Sequence, residues 1–149
     1  MIELGQCQEL EVIDLVAAGA VLGDDSEDVL LPYKYVPPGV RVGDPVRVFV
    51  HTDSEDRLVA VTRMPRATLG RVAVMRVVDR TAHGAFVDWN LDKDLFVPEI
   101  EQHVPMQVGS WYVVEVRCDK RTDRLIGSTR LGRFFDPVSY THLTLPTKA

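Results

Sequence analysis

The chain has 149 residues, 46% hydrophobic and 26% charged, with a formal net charge of −5. That length can bury one ordinary core or two small ones, and the acidic balance argues against a chain-wide polyanion binder, because phosphate affinity comes largely from Lys and Arg. No apolar run approaches the ~20 residues that span a bilayer, and "MIELGQCQEL" lacks the basic region and apolar core of a secretory signal, so a cytoplasmic protein is expected.

In chain order, Gly5 opens a first valine-rich stretch, followed by the short apolar segments Gly19-Ala20-Val21-Leu22 and Leu30-Leu31-Pro32. Tyr33 and Tyr35 in "LLPYKYVPPG" are read as packing on the Pro37-Pro38 turn or between modules, since their acidic surroundings disfavour RNA. Val46, Val48 and Val50 then alternate with Arg47, Phe49 and His51, the period of a half-buried strand. "TDSED" supplies polar turn chemistry before a closing strand.

From Gly70 the pattern begins again. Gly70 to Asp79, Gly84 to Asp88, Leu95 to Pro98, Trp111 to Cys118 and Leu125 to Thr129 are five candidate strands, with a short turn expected within Glu99 to Met106. Tyr112, Val114, Val116 and Cys118 alternate with Trp111, Val113, Glu115 and Arg117. No stretch has the caps and 3.6-residue period of a major helix. The last 14 residues, "DPVSYTHLTLPTKA", match neither stretch and are expected to be a disordered tail; "VSYTHLTLPTKA" also looks like translated adapter read-through.

The two stretches are copies. Gly19-Ala20-Val21-Leu22 recurs 65 residues later as Gly84-Ala85-Phe86-Val87, Leu30-Leu31-Pro32 recurs at an offset of 66 as Phe96-Val97-Pro98, and Asp56-Arg57-Leu58 at 67 as Asp123-Arg124-Leu125. Preserved order with so little drift indicates one unit of about 65 residues, duplicated. Five short strands per unit, interrupted between the third and fourth, predict an all-β protein of two tandem five-stranded OB-fold barrels, residues 1–65 and 66–135, with 136–149 outside them.

Charge separates the copies. Residues 1–65 carry 12 acidic and 5 basic side chains, net −7, whereas residues 66–135 carry 9 acidic and 11 basic, net +2. Rings differ in the same direction: His83 and Phe86 stand where the first unit has Ala18 and Val21. Single strands bind by stacking bases on exposed rings beside a basic track, so the second unit is the candidate binder. Because His83 and Phe86 are three residues apart, a bulge at Gly84 is expected to bring both to one face. Ala85 and Val87 would then face the core, with Trp89 at the core or its rim. Lys120, Arg121 and Arg117 are expected to form a solvated basic edge.

"GAFVDW", "LFVP", "VGSWYVVEV" and "DRLIGST" together resemble the ribosomal protein S-one type RNA-binding domain, an OB-fold module. With "LLPYKYVP" and "DSEDRLVAVT", the tandem looks like the N-terminal two modules of the conserved virulence factor B (CvfB) family of bacterial regulators. The resemblance implies an RNA site of two aromatics flanking Gly84-Ala85, here His83 and Phe86, with Asp119 and Arg124 around the final hairpin. Pro98 stands where the wider family places a histidine. It also implies a longer architecture, with a third module and a winged helix, of which this chain holds the N-terminal part. Arg124 and Arg57 occupy equivalent places, so a structural pairing with Asp119 or Asp53 stands beside the binding role.

The expected function is therefore single-stranded RNA binding by a regulatory protein, centred on the second unit. The alternative is a protein-interaction module in which the acidic first unit meets a basic partner. No nucleophile–base pair or phosphate-binding glycine loop supports an enzyme. Cys7 and Cys118 lie outside any CxxC or Cys/His cluster and are read as small buried thiols, so no metal or other cofactor is expected.

Overall fold

The computed structural model describes residues 2–53 and 55–131, so the expected tail at 136–149 lies outside the described residues. The chain divides into two units, residues 1–65 and 66–149. Each is built from short strands whose apolar side chains alternate inward.

In the first unit, β1 (Cys7–Val16), β2 (Gly19–Gly23), β3 (Asp28–Pro32), β4 (Pro45–Thr52) and β5 (Leu58–Val61) close into a barrel in the order β1-β2-β3-β5-β4. Closure rests on one parallel pairing, Leu30 with Val59. Inside it lie Val12, Ala20, Leu22, Val29, Leu31, Val46, Val48, Val50 and Ala60, residues of alternate parity on their strands. Each fully buried Leu or Val contributes about 1.5–3 kcal/mol from apolar burial. The outer face of β4 is covered as well: Phe49 and His51, expected outside the core, are both buried and stacked at 6.0 Å between ring centroids.

The second unit repeats this plan with β6 (Val72–Thr81), β7 (Gly84–Asp88), β8 (Leu95–Pro98), β9 (Trp111–Asp119) and β10 (Arg124–Ser128). Its sheet runs β10-β9-β6-β7-β8 and curls without fully closing, which corrects the expectation of two complete barrels. The reason lies at the seam between β8 and β10. Gln102 Nε2 donates to the Val97 carbonyl at 3.1 Å, and the 3₁₀ turn Glu99–Glu101 after β8 receives the end of β10 through Thr129 N–H to Glu101 O at 3.0 Å and Arg130 Nε to Ile100 O at 2.8 Å. Between the two strands, side chains meet instead of a ladder. A Cβ at Gly127 would lie 2.7–3.1 Å from side-chain atoms of Val114, Val97 and Leu95.

Both units place the same extra residue in their first long strand. Register shifts between Val12 and Asp14 and again between Val77 and Asp79, leaving Ile13 and Val78 as the bulged residues. The expected bulge at Gly84 is absent: Gly84 is in register opposite Thr81 on one side and Pro98 on the other. Its missing side chain serves a close approach, since a Cβ there would collide with the Val97 carbonyl and come within 2.9 Å of the Phe96 ring. The hairpin is tied to the turn beyond β8 by Glu99 N–H to His83 O at 3.0 Å, as Tyr33 N–H is tied to Ala18 O at 2.8 Å in the first unit.

Candidate nucleic-acid interface

Parity on β7 and β8 sorts their side chains cleanly. Ala85, Val87, Leu95 and Val97 are buried, so Gly84, Phe86 and Asp88 share the opposite face with Phe96 and Pro98. Phe86 and Phe96 are cross-strand partners, half-buried, with ring centroids 5.0 Å apart and planes inclined at 45°. Aromatic pairs of this geometry contribute about 0.5–1.5 kcal/mol beyond burial, and both rings remain partly exposed. Phe96 is the ring that sequence reasoning missed. Its signal was present in the repeat: the first unit pairs Val21 with Leu30 at these two places.

His83 is exposed in the two-residue connection between β6 and β7, its N–H donating to Thr81 Oγ1 at 3.1 Å. With no bulge at Gly84, the expected route that carries His83 onto the Phe86 face is lost. Trp89 is core, 2% exposed, with its indole N–H donating to the Lys93 carbonyl at 2.7 Å.

At the β9–β10 hairpin, Lys120, Arg121 and Arg124 are exposed. Asp119 organises this turn: its Oδ1 accepts the Arg121 N–H at 3.0 Å and its carbonyl accepts the Asp123 N–H at 2.7 Å. Arg124 faces Asp119 across the ladder. In the first unit the matching pair forms a direct ion pair, Arg57 Nε to Asp53 Oδ2 at 3.1 Å.

Arg117 is the member of the expected basic edge that stands elsewhere. Its Nε donates to Glu115 Oε1 at 2.7 Å, its Nη1 to Glu101 Oε1 at 3.1 Å, and its Nη2 to the Arg130 carbonyl. Glu115 is 0% exposed, so this guanidinium neutralises a buried carboxylate instead of extending toward a ligand.

The other end of the ring face is acidic. Asp79 is cross-strand from Phe86, and the Asp94 carboxyl is pushed above the usual range, first by burial and then by Asp88 and Asp79. A carboxyl whose folded pKa is raised favours the fold while protonated, below its unfolded pKa, and that contribution is lost as pH rises through the folded value. Asp94→Asn is therefore expected to raise the melting temperature at pH 7, and the gap to the parent should close as pH falls toward 4. Thermal unfolding at both pH values checks this; an equal gap at both would remove the electrostatic explanation.

Cys7 and Cys118 are free and half-buried, which corrects the expectation of buried thiols. Cys7 Sγ lies 3.2 Å from Met64 Sδ, and burial, followed by Asp123 and Asp119, pushes the Cys118 thiol up, away from the thiolate that nucleophilic chemistry needs. Among the described residues no cluster of His, Cys, Asp and Glu is placed to hold a metal ion, and no helix is long and apolar enough to cross a membrane.

An all-β, OB-like architecture with half-buried rings on its second sheet and exposed cations at the β9–β10 hairpin defines a class, and comparison with known proteins narrows it. Residues 4–63 match the S1 domain family model, which points to nucleic-acid binding as the class of activity. The match falls on the first unit, although the second carries the rings. The chain is similar to the uncharacterized protein YitL of Bacillus subtilis (strain 168), 29% identical over 108 residues that cover 72% of this chain and 36% of that one. Its fold is similar to a multidomain protein with nucleic acid binding domains from Streptococcus pneumoniae TIGR4, with a TM-score of 0.71 and 24% identity, covering 87% of this chain and 47% of that one. The chain thus spans between a third and a half of the length of each.

Proposed function

We propose that the chain binds single-stranded RNA without turning it over, that the second unit supplies the stacking surface, and that this binding serves a regulatory role of the kind the CvfB resemblance implies. The observation that carries the reading is the Phe86–Phe96 pair on the outer face of β7 and β8. Lys120, Arg121 and Arg124 are exposed cations in the same unit, and they add sequence-independent attraction for the phosphate backbone. The acidic first unit acts as scaffold or spacer.

Anisotropy titrations with a labelled single-stranded RNA at about 50 and about 200 mM salt test this. Weak binding is expected, with log K falling by roughly 0.7 per phosphate contact for each decade of salt. Absence of binding at low salt, or binding indifferent to salt, would rule the reading out.

A protein-binding role for the first unit has one observation in its favour: Tyr33 is 75% exposed, with Leu15 and Val16 also exposed. That exposure corrects the packing expected for Tyr33, whereas Tyr35 packs against the first core. Partners recovered on the first unit after nuclease treatment would support this second reading.

A further inference from the structure

Beside the ring pair lies a groove of about 480 Å³, between the β6–β7 connection and the segment that follows β8. Arg80, Thr81 and Gly84 line one wall; Glu99, Gln102 and His103 line the other. The two segments are tied together by the hydrogen bond from Glu99 N–H to His83 O. Gly84 belongs to both features, because the Phe96 ring covers the position a Cβ would take there. The groove therefore begins where the ring pair ends.

Duplication provides an internal comparison. The same hydrogen bonds recur in the first unit, Tyr33 N–H to Ala18 O and Val36 N–H to Tyr33 O against Glu99 N–H to His83 O and Gln102 N–H to Glu99 O, so equivalent positions can be matched one by one. Arg80, Thr81, Glu99, Gln102 and His103 correspond to Leu15, Val16, Tyr33, Val36 and Pro37. Hydrogen-bonding side chains fill these five places in the unit that carries the two rings, where the other unit has four apolar residues and a tyrosine; Ala82, Val104 and Pro105 complete the lining and are apolar.

Electrostatics orders the strand on this surface. Asp88 and Asp94 lie at one end of the ring pair, with Asp79 opposite Phe86, and there they repel phosphate; Arg80, paired with Ala85, lies toward the other end of the hairpin and lines the groove beside Gly84. We propose that the groove is a second nucleotide subsite, which takes the nucleotide adjacent to the one stacked on Phe86 and Phe96, with Arg80 on its phosphate and the Glu99 carboxylate accepting from a base amino group. This deepens the RNA reading and rests on it. A carboxylate discriminates among bases by the donors they present, so cytidine, with its exocyclic amine, is preferred over uridine in the groove.

Chemical-shift mapping of the full chain with octamers of cytidine and of uridine, run on the parent, Arg80→Leu and Glu99→Gln, tests the proposal. In the parent, amides of Arg80, Thr81, Ala82 and His103 should shift together with those of Phe86 and Phe96. Arg80→Leu, which installs the first unit's own residue, should weaken the cytidine octamer roughly tenfold, lower the salt slope by about 0.7, and leave the shifts at Phe86 and Phe96. Glu99→Gln should narrow the cytidine–uridine difference. Shifts at the rings with none in the groove would overturn the subsite and leave the RNA reading standing. Shifts in the groove with none at the rings would uphold a nucleotide site there and overturn its coupling to the rings. No shift anywhere would overturn both.

Discussion

Replacing Phe86 with Val and Phe96 with Leu is expected to weaken single-stranded RNA binding by about 1–3 kcal/mol per stacked base, roughly five- to 150-fold, while leaving the protein folded. The substitutions are those the chain itself carries at the same places, Val21 paired with Leu30. The first barrel shows that this aliphatic pair is compatible with the local backbone, so the cost to the fold should be the aromatic contact, about 0.5–1.5 kcal/mol, plus the apolar area that the two half-buried rings cover. The ligand loses more because a base stacks on a flat π face, which neither Val nor Leu presents. Anisotropy with a labelled octamer, with circular dichroism as the folding control, measures both. Unchanged affinity in the folded double variant would move the stacking surface elsewhere. Arg124→Ala in the same assay separates stacking from charge: it should reduce affinity by a smaller factor and flatten the salt dependence, since an exposed cation contributes mainly through counterion release.

Strand identity was legible because period-two alternation is a local property. β7 and β8 begin and end where the pattern of "GAFVD" and "LFVP" places them. β6 runs two residues past its expected end, since Arg80 and Thr81 are polar and exposed yet remain paired with Ala85 and Gly84. A glycine at a hairpin suggests a bulge, but the role of Gly84 is the close approach of β7 to β8. The true mark of the bulge is an interruption of alternation, Val12-Ile13-Asp14 and again Val77-Val78-Asp79, where two successive apolar residues precede an aspartate.

Pairings distant in sequence left weaker traces. Whether β8 bonds to β10 depends on where the Val97 carbonyl finds its donor, and that donor is Gln102. Phe96 escaped notice for a related reason: it lies between two core residues of a four-residue strand, and only its cross-strand neighbour Phe86 makes it part of a surface. Parity correctly put Glu115 and Arg117 on the face opposite the core, but parity cannot say what covers that face. Here it is the turn at Glu101 and the carbonyl of Arg130.

That covering gives Arg117 the largest expected effect on stability. Arg117→Ala removes a cation that faces Glu115, a carboxylate with 0% exposure. Removing one partner of a buried pair costs about 3–5 kcal/mol because the remaining charge keeps its desolvation penalty. The partial exposure of Arg117 and Glu101, each 26%, argues for the lower end, about 3 kcal/mol. For a unit of this size each kcal/mol moves the melting temperature by about 4–8 °C, so the transition of the second unit should fall by more than 10 °C. The double variant Glu115→Leu/Arg117→Leu removes both charges and should recover most of the loss, since apolar replacement of a buried ion pair is often neutral. The first unit carries a ring pair in place of the ion pair at these two positions, Phe49 stacked with His51. Thermal and urea unfolding of the three proteins decide the matter. If the double variant is as unstable as Arg117→Ala, the loss comes from packing and the Arg130 carbonyl contact, and the charge on Glu115 is not its source. RNA titration well below the lowered transition gives the second readout. Arg117→Ala should then bind with nearly parental affinity, because its guanidinium is committed to Glu115 and Glu101, whereas a ligand-contacting arginine would lose affinity while still folded.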